Sequence, residues 1–141
     1  MDILAYDYIL QGLTDYNKSV DENYGNVIYS GIPKLNKNQT ISFPLTIFQE
    51  IRNVANPSYN TCHDRVASVG YRADIYAKDK GTKVNKLTIA RSVAKVVDEY
   101  LTAIGLTRVS FNVSENENDG SVYHIIMTYS GNLHENRRKF I

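Results

Sequence analysis

Between residues 2 and 17 the apolar side chains Ile3, Tyr6, Ile9, Leu10, Leu13 and Tyr16 recur at spacings of three and four, with Asp7, Gln11 and Asp15 elsewhere. That period lays them along one face of an amphipathic helix. Gly12 inside it costs up to about 1 kcal/mol relative to alanine, so the packing of that face has to compensate. Ser19 to Asn26 is polar, contains Gly25 and reads as a loop. A short apolar piece, Val27-Ile28-Tyr29, follows before Gly31 and Pro33 turn the chain.

At Ile41 the period changes to two. Ile41, Phe43, Leu45, Ile47, Gln49 and Ile51 alternate with Ser42, Pro44, Thr46, Phe48 and Glu50, the pattern of a half-buried strand whose apolar set faces the core. Pro44 has no N–H for a ladder and is expected on an edge or at a bulge. A second run puts Val69, Tyr71, Ala73, Ile75 and Ala77 on one face and Gly70, Arg72, Asp74, Tyr76 and Lys78 on the other. The two runs are expected to pair as an antiparallel ribbon. The Asn-rich connection from Arg52 to Arg65 is near the upper length for an ordinary loop and is expected to form a flap or arm.

Between Gly81 and Gly105, Leu87, Ala90, Ala94, Val97, Leu101 and Ile104, reinforced by Val93 and Tyr100, form the stripe of a second helix, with Gly105 as its stop. Val109, Phe111 and Val113 then alternate with polar residues, and Val122 to Tyr129 makes the partner strand across an Asn118-Asp119-Gly120 turn. The expected fold is α+β: an antiparallel sheet of about four main strands with two helices packed on one face. Residues 1–132 read as a single domain and residues 133–141 as a flexible C-terminal tail.

Composition narrows function without naming it. The 141 residues are 43% hydrophobic and 22% charged, ordinary globular usage. Sixteen Lys and Arg against fifteen Asp and Glu leave a net charge of +1, so no global field recruits nucleic acid or an anionic membrane. One cysteine excludes an intrachain disulfide framework and fits a reducing compartment. The acidic start, with Asp2 and Asp7 ahead of Lys18, is the wrong charge for an export signal, and apolar runs such as Ile125-Ile126-Met127 are far too short for a membrane span. Three Asn-x-Ser/Thr matches, at Asn17, Asn38 and Asn112, are set aside as chance in an Asn-rich chain.

Several groups invite chemistry. Cys62, His63 and Asp64 offer a thiol, a base and a carboxylate, but consecutive residues point apart, and a loop is the better reading. Glu115, Glu117, Asp119 and Gly120 imitate the opening of a calcium loop, yet Ile126 stands where the bidentate Glu belongs. The segment reads as a solvated hairpin tip. His63, His124 and His134 lack metal-ligand spacing, and His124 reads as a satisfied structural histidine. Lys78, Lys80, Lys83, Lys86, Arg91 and Lys95 read first as a solvated helix side on which Lys95 pairs with Asp98 and Glu99. Their alternative is contact with DNA phosphates or an acidic protein face. The Arg137-Arg138-Lys139 run reads as a frayed terminus. Eleven Tyr and no Trp suit pleated strands and interfaces. Phosphate-loop, dinucleotide, zinc-protease and nucleophile-elbow motifs are missing from the sequence. No enzyme activity, metal or cofactor is expected.

The strand Phe43-Pro44-Leu45-Thr46-Ile47-Phe48-Gln49-Glu50-Ile51, the strand Tyr71-Arg72-Ala73-Asp74-Ile75-Tyr76-Ala77-Lys78, and a helix ending in Ile104-Gly105-Leu106-Thr107-Arg108 before a final hairpin come in that order. In order, spacing and length the chain, from about Ile3 to Tyr129, resembles the tail-completion, or tail-terminator, proteins of long-tailed bacteriophages. The resemblance implies a structural virion protein, made in the host bacterial cytoplasm, that forms a six-subunit ring on the head-proximal end of the tail. It implies three protein partners: further copies of itself, the tail tube protein and the head-connector or stopper protein. DNA only passes through the channel, and no membrane is involved. A closed ring needs two different complementary faces on each subunit. The surfaces nominated for subunit and tail contacts are Asn56 and Tyr59 in the loop, Arg72, Asp74 and Tyr76 on the strand, Lys83 and Lys86 at the helix start, and Glu115, Glu117 and Asp119 at the hairpin tip. Competing expectations are a head-completion or connector adaptor, a small nucleic-acid-binding α+β module using the basic patch, and a small hydrolase centred on His63 and Asp64.

Overall fold

The computed structural model describes residues 5–20, 24–31, 42–55, 66–79, 85–115, 122–134 and 139–140. Along the chain run α1 (Ala5–Ser19), β1 (Val27–Tyr29), β2 (Leu45–Ala55), β3 (Val66–Ala77), α2 (Lys86–Ala103), β4 (Thr107–Glu115), β5 (Tyr123–His134) and β6 (Lys139–Phe140). The fold is α+β, with one six-stranded sheet in the order β1-β2-β3-β5-β4 and β6 pairing β5. β1 runs parallel to β2, and the remaining pairs are antiparallel. The sheet is therefore mixed and larger than the expected antiparallel sheet of about four strands. A three-residue strand carries too little pattern to reveal its partner or its direction.

The register sorts the side chains. On β3, Ala67, Val69, Tyr71, Ala73, Ile75 and Ala77 join the core, as alternation predicts. Ile125, Met127, Tyr129 and Leu133 of β5 join them, and both helices cover this face with Ile9 and Leu13 from α1 and Ile89, Val93, Val97 and Leu101 from α2. Each fully buried Val, Leu, Ile or Met among them contributes roughly 1.5–3 kcal/mol. β2 departs from expectation. Phe48 lies opposite Ala73 and enters the core, whereas Leu45 and Ile47 lie opposite Tyr76 and Asp74 on the other face, where they are also buried. Alternation finds two faces but does not say which one meets the helices when both carry apolar residues. A register shift between Glu50 and Arg52 leaves Ile51 exposed rather than inward.

Other boundaries also move. Pro44 precedes β2 instead of lying within it, in a cis peptide with Phe43. Arg52 to Ala55 extend β2, so four residues expected in the flap are strand, and 56–65 lie outside the described residues. Leu87, expected in the α2 stripe, is exposed, and Ile89 takes the buried position. At about 100° per residue the two lie on nearly opposite sides, and the Ile89–Val93–Val97 row meets the sheet. β5 continues through His134 with Leu133 in the core, and β6 pairs against it. The boundary expected at residue 132 therefore falls inside a strand.

Capping and polar contacts fix the ends. Asn85 caps α2 by accepting from the Thr88 N–H at 2.9 Å, and Gly105, with φ of 108°, follows its last turn. Asn17 of α1 donates to the Asn26 carbonyl at 2.7 Å, and Asn26 returns a bond to the Asn17 side-chain oxygen at 3.1 Å. Thr46 of β2 donates to the Asn26 side chain at 3.0 Å. All three residues are buried, so this polar knot ties the end of α1 to the start of β1 and to β2.

Candidate functional site

Arg72, Asp74 and Tyr76 share one parity on β3, and alternation sends them to the face away from the helices. There the register sets Tyr76 beside His124 of β5, and Asp74 between Ile47 and Ile126. Arg72 grips the Asp74 carboxylate with Nε 2.9 Å from Oδ2 and Nη2 2.9 Å from Oδ1. His124 Nε2 lies 2.8 Å from Oδ1. The Tyr76 ring stacks on the imidazole with centroids 4.1 Å apart.

Asp74 is only 5% exposed. Burial pushes its pKa up, but hydrogen bonds from His124 and Arg72, with the attraction of those groups, more than offset this and hold it below the usual carboxylate range. The same bond raises Arg72, while burial and then the Asp74 charge raise Tyr76. Both carboxylate oxygens are thus engaged within the subunit. Ser114 of β4 stands opposite His124 in the register, yet no hydrogen bond joins the two. What the cluster presents outward is the half-exposed Arg72 side chain and the partly exposed Tyr76.

A second feature lies on the helix side, at the β4 edge of the sheet. A cleft of about 220 Å³ between α2 and β4 is lined by Arg91, Ala94, Lys95, Asp98, Arg108, Phe111 and Met127. Asp98 accepts from the Tyr129 hydroxyl at 2.7 Å and lies 3.5 Å from Arg108. Burial and the bond to Asp98 push the Tyr129 pKa far up. The Arg108 guanidinium sits 5.7 Å from the Phe111 ring centroid. Along the same strand Val109, 64% exposed, Phe111 and Val113 face solvent. The cleft is below the size of ordinary small-molecule pockets.

Of the nominated residues, the structure brings together Arg72, Asp74 and Tyr76. Lys86 opens α2, its backbone N–H donating to Asp79 at 2.6 Å, and Glu115 ends β4. Asn56, Tyr59, Lys83, Glu117 and Asp119, with Cys62, His63 and Asp64, lie outside the described residues. Lys95 does face Glu99, at 3.9 Å, but Asp98 turns to Tyr129 and Arg108 instead. Sequence reasoning overlooked His124 as the partner of Asp74, because that pairing depends on the register of β5 against β3. It also overlooked the cleft, although Arg91, Lys95 and Asp98 recur at spacings of four and three beside buried Ala94. Among the described residues no group of three or more His, Cys, Asp or Glu is placed to hold a metal ion, and no helix is long and apolar enough to cross a membrane. Comparison with protein-family models and with curated proteins finds no match for this chain.

Proposed function

We propose that this chain is a structural virion assembly protein of the tail-completion, or tail-terminator, kind, forming a ring at the head-proximal end of a phage tail tube and joining it to the head connector. The observation that carries the reading is edge strand β4. It is nine residues long and, between Arg108 near its start and Glu115 at its end, exposes Val109, Phe111 and Val113. Monomeric proteins usually blunt edges with charge, proline, bulges or brevity, and an apolar row of this kind between the two charged positions suits a subunit that is covered in an assembly. The order of the strand and helix motifs, which resembles that family, supports the same reading. A net charge of +1 suits a ring through which DNA passes without being held. Its partners are then further copies of itself, the tail tube protein and the head-connector protein.

Electron microscopy of a lysate from the parent phage with this gene deleted tests the reading. Separate heads beside overgrown tails of variable length are the expected result. Unjoined tails of uniform length would reassign the protein to a connector adaptor, and intact infectious particles would overturn both roles.

A further inference from the structure

The cleft between α2 and β4 is lined by three cations, Arg91, Lys95 and Arg108, against one lining carboxylate, Asp98, with Glu99 reaching Lys95 from outside the lining at 3.9 Å. Asp98 is already committed to Tyr129 and holds Arg108 by a single nitrogen, Nη1. The remaining guanidinium donors of Arg108 stay available for a second carboxylate. Arg91 is exposed and makes no ion pair or hydrogen bond among the described residues. Beside these cations Phe111 provides an apolar wall. The cleft therefore selects an acidic, extended segment that inserts a side chain.

The chain itself contains an acidic segment. Ser114-Glu115-Asn116-Glu117-Asn118-Asp119-Gly120, leaving β4 toward β5, carries three carboxylates and no Lys or Arg. We propose that the cleft of one subunit receives the acidic β4–β5 connection of a second copy. This deepens the reading as a ring protein and rests on it. Cleft and connection are built from different residues of the chain, so the contact is heterologous, and each subunit offers its connection to one neighbour and its cleft to the other, as a closed ring requires. Opposite charge steers the encounter and makes the association salt-sensitive. The apolar row of β4 lies beside the cleft and is covered in the same contact.

The test mixes heavy-isotope-labelled and unlabelled full-length protein, treats it with a carbodiimide that joins amines to carboxylates, and identifies the linked peptides by mass spectrometry. The expected product is a mixed-isotope link between Lys95 and Glu117 or Asp119. Arg91→Glu with Arg108→Glu should abolish it and weaken self-association at least about tenfold in sedimentation. Combining those changes with Glu117→Arg and Asp119→Arg should restore association. Same-isotope links alone, links at other sites, or a monomer at the highest concentration reached would overturn the proposal. Circular dichroism checks that the charge-reversed proteins are folded, and rescue by the swapped charges excludes simple misfolding. Overgrown tails on gene deletion together with full activity of the Arg91→Glu, Arg108→Glu phage would sink this interface and leave the tail role standing. A charge-swappable oligomer in a phage whose tails need no such gene would do the reverse.

Discussion

Gly12 and Tyr100 meet where α1 crosses α2: a Cβ built at position 12 would lie 1.8 Å from the Tyr100 hydroxyl oxygen and 2.8 Å from the ring carbon bearing it. The glycine that weakens α1 as a helix is what makes room for the Tyr100 side chain of α2, and Tyr16 stacks on the same tyrosine with centroids 5.7 Å apart. Gly12→Ala gains up to about 1 kcal/mol of helix propensity but forces the ring aside, and overpacking of that kind costs roughly 1–3 kcal/mol. The expected outcome in urea denaturation is a net loss of stability. A smaller loss is expected in a Tyr100→Phe background, where the hydroxyl is gone.

Asp74 is held by Arg72 and His124, so removing its charge should unsettle the helix-free face. Asp74→Ala strands a half-exposed guanidinium and a mostly buried imidazole, and is expected to cost about 2–3 kcal/mol in chemical denaturation.

The acid limb follows from the same carboxylate. Its folded pKa lies below its unfolded value, so the unfolded chain binds the proton first and the stabilisation present above about pH 4 is lost as pH falls through the folded value. Wild-type unfolding free energy should therefore drop below about pH 4 more steeply than that of Asp74→Asn. Parallel acid limbs would contradict the ionised pairing.

Tyr129 gives the alkaline counterpart. Its hydroxyl is buried and donates to Asp98, which raises its pKa in the folded state. Above about pH 10 the unfolded chain releases this proton while the folded chain keeps it, so stability falls as pH rises. Tyr129→Phe should cost about 1–2 kcal/mol at neutral pH and flatten that alkaline decline, read by urea unfolding across the range.

The buried Asn17–Asn26–Thr46 knot makes a graded series. Asn26→Ala removes the bond that the Asn26 side chain donates to the Asn17 side-chain oxygen and the one it accepts from the Thr46 hydroxyl, while the Asn17 amide keeps its bond to the backbone carbonyl of residue 26, and should cost about 2–3 kcal/mol, whereas Thr46→Val removes one bond while keeping shape and should cost about 1 kcal/mol. Equal losses for the two would show that the three residues do not act as drawn.

Local pattern was enough for α1, α2, the β2–β3 ribbon and the β4–β5 hairpin. Spacings of three and four, or of two, follow from backbone geometry within a few residues. The core face of β3 was legible for the same reason, since its odd-numbered residues from Val69 to Ala77 are the apolar ones. Tertiary structure decided what depends on register between distant segments. It placed His124 against Asp74, sent Phe48 rather than Leu45 and Ile47 under the helices, and drew Tyr129 of β5 to Asp98 of α2. It also gave β1 a parallel partner and extended β5 to His134. Sliding a strand by one residue exchanges its two faces while leaving its sequence pattern unchanged, so pairing across the sheet, and with it both the cluster and the cleft, becomes fixed only when the strands and helices pack together.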